Sequence, residues 1–283
     1  MAFRDCKQLT KVVINAPKFT MENNTFGIMA APYTPMTINV ANAEMKAYVE
    51  SMLTDHAKTY ITVVAPGVVD NIDDLKAEIA NNASQIIVSG EIDLADVILS
   101  GYNGTIKGTE GTVLNTRNFT PSADEAYQLR SQNLTFKNLT IKLPTSGDWI
   151  KSGFVGTGVI VFENCKIEGQ ATLNGQADWT FKNCEFVSLE SGKYASFVYG
   201  AKKATFNSCS FSGVDRAAKV YGAGGTLNVE YNNCTYTSAT LNKAGVEIDA
   251  TYATTTVTLN GCTQNNMKDL YALEGSKGTV NVK

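Results

Sequence analysis

The chain is poor in the residues that most often mark catalysis. It has one histidine, His56, and two tryptophans in 283 residues. One histidine cannot build a His-based metal cage. A serine–histidine arrangement would have to use His56, which sits in TDHAK with no nucleophile-elbow sequence nearby. The six cysteines include no CxxC pair, so zinc ribbons and thioredoxin-type redox motifs are excluded. No window of 18 apolar residues occurs, which excludes a helical membrane span. The formal net charge is −3 and no basic run stands out, so a nucleic-acid surface is excluded too. The first residues, MAFRDCKQLT, lack the apolar stretch of a secretory signal. Nothing implies a cofactor or a bound metal.

A repeat is present instead. TFKNCEF (180–186) returns as TFNSCSF (205–211), with looser copies VFENCKI (161–167), EYNNCTY (230–236) and TLNGCTQ (258–264). TFKNLTI (135–141) keeps the pattern with Leu139 in place of cysteine. Cys165, Cys184, Cys209, Cys234 and Cys262 therefore recur at intervals of 19, 25, 25 and 28 residues, and only Cys6 stands apart. A period of this size with variable insertions marks a solenoid. Alternating apolar residues among Thr, Asn and Ser mark strands rather than helices. A second strand precedes each cysteine segment, as in ATLNG, SFVYG, AKVYG and GVEID. Two or three short strands per coil, stacked about 4.8 Å apart, make a parallel β-helix. The general preference for right-handed parallel crossovers sets its hand.

Stacking explains the repeat. Each inward position packs on its own copy, and cysteine suits a tight interior column as an inert free thiol. Phe162, Phe181 and Phe206 form a second column, continued by Tyr231 and Leu259. Ile141, Ile167, Phe186, Phe211 and Tyr236 form a third. The residue before each cysteine is Asn164, Asn183, Ser208, Asn233 or Gly261, types that tolerate a left-handed bend. Register would place neighbouring thiols too far apart for a disulfide.

Residues 61–283 are expected to form the β-helix. A capping helix over about 71–82 is expected from Ile72, Leu75 and Ile79, with Asp70 or Asn71 as N-cap. IIVSG (86–90) and VILSG (97–101) read as the first strands. Residues 1–60 differ. Ala2, Phe3, Cys6, Leu9, Val12 and Ile14 of AFRDCKQLTKVVI resemble the surface-antigen leucine-rich repeat of the BspA type. NTFG (24–27) looks like the start of a second unit, and MTINVANAEMKAYVESM (36–52) like the strand and helix that close such arrays. Met1 falls near where a longer array would be interrupted. The coil region, through WTFKNCEF, FVYGAKKATFNSCSF and AKVYGAGGTLNVEYNNCTYT, is similar to the pectin-lyase-like superfamily. It looks most like non-catalytic members on the surfaces of host-associated bacteria and on some of their phages.

Enzymes of that fold use clustered aspartates, or calcium-binding acids with a basic residue. The acids here are Asp148, Asp178, Asp215 beside Arg216, and Glu247 with Asp249. None forms a family motif, and a solvated strand face is the simpler reading. If Val198 and Val220 point inward, then Phe197, Tyr199, Lys219 and Tyr221 point outward and line up with Glu247 and Asp249. This makes a candidate ligand-binding face for a glycan or a host surface protein. The alternative is that long loops cover it. The expected role is a non-enzymatic adhesin, extracellular or on the cell surface. The other readings are a polysaccharide lyase or hydrolase, and a spacer or fibre part of a phage particle.

Overall fold

The repeated heptapeptide folds as strand, corner and strand. In TFKNCEF, the strand Ala171–Lys182 ends, Asn183 adopts φ 52°, Cys184 turns inward, and the strand Glu185–Val187 begins. Asn164, Ser208, Asn233 and Gly261 hold the same corner at φ 52°, 53°, 54° and 60°. A left-handed residue costs least as Gly or Asn, which is why these types recur there. The corner also explains the spacing of inward residues. Phe181 and Cys184 are three apart, which alternation along one strand forbids, and the bend at Asn183 brings both inside.

The computed structural model describes all residues except 1, 2, 4, 5, 7, 15, 17, 23, 24, 27–33, 95, 96, 98, 117–127, 145–152 and 242, and omits the side chains of 43 and 128–132. Two units are present, Met1–Val68 and Val69–Lys283. The boundary falls eight residues beyond the 60/61 junction read from the sequence, because the strand Ile61–Val64 pairs with Met36–Val40 in the first unit.

The second unit is a right-handed parallel β-helix. Strands after the corners form an eight-stranded sheet, running from Glu91–Asp93 to Thr263–Asn265. Strands before the corners form a branched sheet of 14 strands. In early coils the two strands before the corner run on as one, as in Gly153–Glu163. In later coils they separate, as in Ser196–Tyr199 and Lys203–Asn207.

Three columns fill the interior. Phe136, Phe162, Phe181, Phe206 and Tyr231 stack with ring centroids 4.9, 4.8, 4.9 and 4.8 Å apart. Leu259 continues the column in register with Tyr231. Ile141, Ile167, Phe186, Phe211 and Tyr236 follow the same rule. The thiols of Cys165, Cys184, Cys209 and Cys234 are buried, that of Cys262 is half-buried, and all are unbridged. Burying each aromatic side chain stabilises by about 1.5–3 kcal/mol, and each aromatic pair adds about 0.5–1.5 kcal/mol. Trp179 fits because its register partner in the next coil is the small Ala204. A Cβ at Gly156 would also lie 2.7 Å from the Trp179 ring.

The corner amides form part of a ladder. Asn164 Nδ2 donates to Asn138 Oδ1 at 3.1 Å, and Asn183 Nδ2 donates to Asn164 Oδ1 at 3.2 Å. Ser208 interrupts it. A Cβ at Gly261 would sit 2.5 Å from Asn233 Oδ1, so this coil takes glycine.

The helix Ile72–Ala80 closes one end of the core. Asn71 caps it, its Oδ1 accepting from the Asp74 amide at 3.0 Å, and Leu75 is fully buried, with Ile72 and Ile79 packed on the core. VILSG (97–101) is not a strand among its described residues. The first strands of the core are Gln85–Val88, Glu91–Asp93 and Thr105–Gly108. Val97 and Leu99 are buried, but the chain turns through Gly101 at φ 86°, and Tyr102 anchors the turn by donating to Ala83 O at 2.8 Å.

The first unit has a three-stranded parallel sheet of Lys11–Ile14, Met36–Val40 and Ile61–Val64, with the helix Ala43–Met52 against it. Phe26, Ile38, Met45 and Val49 are buried, and Leu9, Val12 and Ile14 pack on them. Phe3 stacks on Phe26 at 5.3 Å, whereas Cys6 and His56 are exposed. Ala2 and two residues of NTFG, Asn24 and Gly27, lie outside the described residues.

Candidate functional site

Three short strands build the candidate face: Ser196–Tyr199, Ala218–Tyr221 and Val246–Asp249. Val198, Val220 and Ile248 point into the core and are buried. Their neighbours alternate outward. The register pairs Phe197 with Lys219 and Lys219 with Glu247, and also Tyr199 with Tyr221 and Tyr221 with Asp249. All six residues named from the sequence therefore share one parallel surface.

They are not equally accessible. Phe197 is only 8% exposed. The loop between the strands Glu185–Val187 and Ser196–Tyr199 brings Tyr194 beside it, with ring centroids 5.8 Å apart. Asp215 ties this loop down, since its Oδ1 accepts from the Gly192 amide at 2.9 Å and its Oδ2 from Ser191 Oγ at 3.2 Å. The Tyr194 hydroxyl donates to Glu247 Oε2 at 3.0 Å and accepts from Arg216 Nη1 at 2.8 Å. The Arg216 guanidinium also lies 5.1 Å from the centre of the Tyr194 ring, a cation–π contact. Burial pushes the Tyr194 hydroxyl well above the usual phenol range, and the negative charge of Glu247 adds to the effect. The tyrosine is thus a neutral bridge between two opposite charges. Arg216 Nε and Glu247 Oε1 are buried without a hydrogen-bond partner among the described residues.

The sequence reading of Phe197 as outward holds, but its ring is covered and not offered to solvent. The other half of the face is only partly covered, with Tyr199, Lys219, Tyr221 and Asp249 half-buried. Tyr199 and Tyr221 stack with centroids 5.4 Å apart and planes 13° from parallel. Their faces meet each other, so the pair turns ring edges outward. Tyr252 follows, 6.0 Å from Tyr221 and 63% exposed. It was not among the residues named from the sequence. It lies in the turn after Val246–Asp249, where no repeat spacing marks it. Desolvation, followed by Tyr252, Asp249 and Tyr199, raises the Tyr221 hydroxyl, so it stays a neutral donor. Asp249 Oδ1 accepts from the Thr251 amide at 3.1 Å.

The acids considered for catalysis do not converge on an open site. Asp215 holds a loop, Glu247 holds Tyr194, and Asp178 pairs with Lys202 at 3.9 Å. Asp148 lies outside the described residues. Among the described residues no group of three or more His, Cys, Asp or Glu side chains is placed to hold a metal. An apolar cavity of about 120 Å³, lined by Leu143, Pro144 and Leu189 among others, contains none of the six face residues. It is smaller than the roughly 300 Å³ at which small-molecule pockets begin.

Without a bound ion the thiol column is protonated. The thiols of Cys165, Cys209 and Cys262 are pushed up, first by the adjacent thiol of the column and then by burial. The same coupling favours the ionised form at Cys184 and Cys234. Carbonyl oxygens stand against that, because Cys184 Sγ lies 3.3 Å from Lys182 O and Cys234 Sγ lies 3.5 Å from Asn232 O. A thiol donates to a carbonyl, whereas a thiolate is repelled by one, so all five are protonated thiols. No helix among the described residues is long and apolar enough to cross a membrane. No family model, no curated protein and no solved structure matches the chain.

Proposed function

We propose that the protein is a non-enzymatic recognition module of a cell surface or appendage, which binds glycan or host surface protein through the tyrosine face of its β-helix. The observation that carries this is the run Tyr199, Tyr221 and Tyr252 beside Lys219 and Asp249, half-buried at the first two tyrosines and exposed at the third. Exposed aromatic groups rimmed by polar ones commonly mark binding surfaces. Sugars suit such a face, with a C–H surface for Tyr252 and hydroxyls for the tyrosine edges, Lys219 and Asp249. The pectin-lyase-like resemblance of the coils and the BspA-type resemblance of the first residues agree with an extracellular or surface setting.

The interlocked Arg216, Tyr194 and Glu247 weigh against the lyase or hydrolase alternative. A base that must abstract a proton needs an open path to substrate, and Arg216 is spent on Tyr194.

A glycan array probed with the parent chain and with Tyr221→Ala and Tyr252→Ala tests the proposal. At least one hit should weaken by about tenfold in each variant, which corresponds to about 1.4 kcal/mol. No reducing ends or unsaturated uronides should be released. Turnover that disappears in Glu247→Gln would replace the proposal with the enzyme reading. Hits that bind all three proteins equally would move recognition off this face.

A further inference from the structure

We propose that the thiol column is a binding site for a soft, two-coordinate d10 cation of the copper(I) class, held in a line between the sulfurs of successive coils. The register on both sides of the corner is the same in every coil. Phe162, Phe181, Phe206, Tyr231 and Leu259 align before it, and Lys166, Glu185, Ser210, Thr235 and Thr263 align after it. The sulfurs also share one contact, while Cys184, Cys234 and Cys262 lie in addition 3.4, 3.5 and 3.3 Å from the carbonyl oxygens of Phe162, Phe206 and Tyr231 in the preceding coil. Each Sγ lies against the carbonyl oxygen two residues upstream: Cys165 on Glu163 at 3.4 Å, Cys184 on Lys182 at 3.3 Å, Cys209 on Asn207 at 3.4 Å, Cys234 on Asn232 at 3.5 Å and Cys262 on Asn260 at 3.7 Å. Side chains at equivalent register positions repeat at the strand spacing, about 4.8 Å.

That spacing suits one kind of ion. A cation midway between two such sulfurs is about 2.4 Å from each, half the strand spacing. Metal–thiolate bonds are about 2.3 Å for zinc. The ion would meet each carbon–sulfur bond from the side, where the sulfur lone pairs lie. Zinc needs a tetrahedral set that a single file of sulfurs cannot offer, whereas soft thiolate sulfur selects copper(I).

Charge and access also fit. One monovalent ion replaces one thiol proton, giving a unit of one thiolate, one cation and one neutral thiol, and the proton leaves to solvent. No oxidation state changes and no net charge enters the core, which a buried site requires. Cys262 is only half-buried, so entry begins between Cys262 and Cys234, whose neighbours deeper in the column are closed.

Silver(I), an air-stable ion of the same class, tests this in chloride-free buffer on the full chain carrying Cys6→Ser, which removes the exposed thiol. Three results are expected: at least one ion bound per chain, one proton released per ion, and X-ray absorption showing two sulfurs at about 2.4 Å, half the strand spacing. Proton release separates thiol binding from binding by methionine sulfur, which releases none. Cys234→Ala in the same background interrupts the accessible end and should weaken the first ion by about 100-fold, or about 2.7 kcal/mol. If that variant does not fold, Cys262→Ala at the half-exposed position carries the comparison. A Cys6→Ser chain that binds no silver, nitrogen or oxygen ligands in the absorption spectrum, or unchanged affinity in the alanine variant would each overturn the proposal.

Discussion

Tyr194 donates its hydroxyl to Glu247 Oε2 at 3.0 Å, across 53 residues of sequence. The bond fastens a loop of one coil to a strand two coils away and covers Phe197 in passing. Tyr194→Phe keeps the ring but leaves Glu247 and Arg216 without their shared partner. The expected loss is about 1–3 kcal/mol in urea unfolding, typical of a partly buried charged group left unpaired. A midpoint equal to the parent's would show that the bridge contributes nothing.

The corner residues give a sharper test of backbone preference. Asn183 sits at φ 52° and also donates to Asn164. Asn183→Ala should destabilise by about 2–3 kcal/mol, combining a left-handed alanine with a lost hydrogen bond. Asn183→Gly keeps the conformation and loses only the bond, so it should cost less. The order of the two variants in a thermal melt, alanine below glycine, checks the assignment.

The aromatic columns carry one imperfection. Tyr231 and Tyr236 continue columns that hold phenylalanine in the preceding coils, and their buried hydroxyls find no hydrogen-bond partner among the described residues. Tyr236→Phe should therefore raise stability by about 1 kcal/mol, by removing a desolvated hydroxyl. Phe206→Ala, in the middle of its column, should cost about 3–5 kcal/mol. Denaturant titration of both variants reads the two signs together.

Much of this was legible in the sequence because a solenoid repeats its burial pattern. A residue that faces inward in one coil faces inward in the next, so Cys184 and Cys209 announced a column, and Asn164 and Asn183 announced a bend. Outward register followed from Val198 and Val220 by alternation, which is why Phe197, Lys219 and Glu247 do align. The covering of Phe197 was not legible. Tyr194 belongs to a loop of irregular length, and its position depends on Asp215 and Arg216 in the next coil. Tyr252 escaped for the same reason. VILSG carries strand-forming residues, but Gly101 and Tyr102 turn the chain and override local preference.

Alkali should unfold the β-helix cooperatively. Burial raises the hydroxyls of Tyr102, Tyr194, Tyr231 and Tyr236 above their ordinary value. The folded state keeps these protons while the unfolded chain releases them above about pH 10. Stability is then fully present below that pH and falls as pH rises beyond it. Circular dichroism between pH 8 and 12 should show a steep transition on the alkaline side, made shallower by Tyr231→Phe. A flat profile through pH 12 would contradict the burial of these groups.

The stacking of equivalent side chains is most directly tested by long-wavelength anomalous diffraction from crystals of the protein, which locates sulfur without reference to any other atom. Five peaks in a row, separated by about the strand spacing of 4.8 Å, are the expected result for Cys165, Cys184, Cys209, Cys234 and Cys262. Cysteine peaks scattered through the molecule, or paired at disulfide distance, would contradict it.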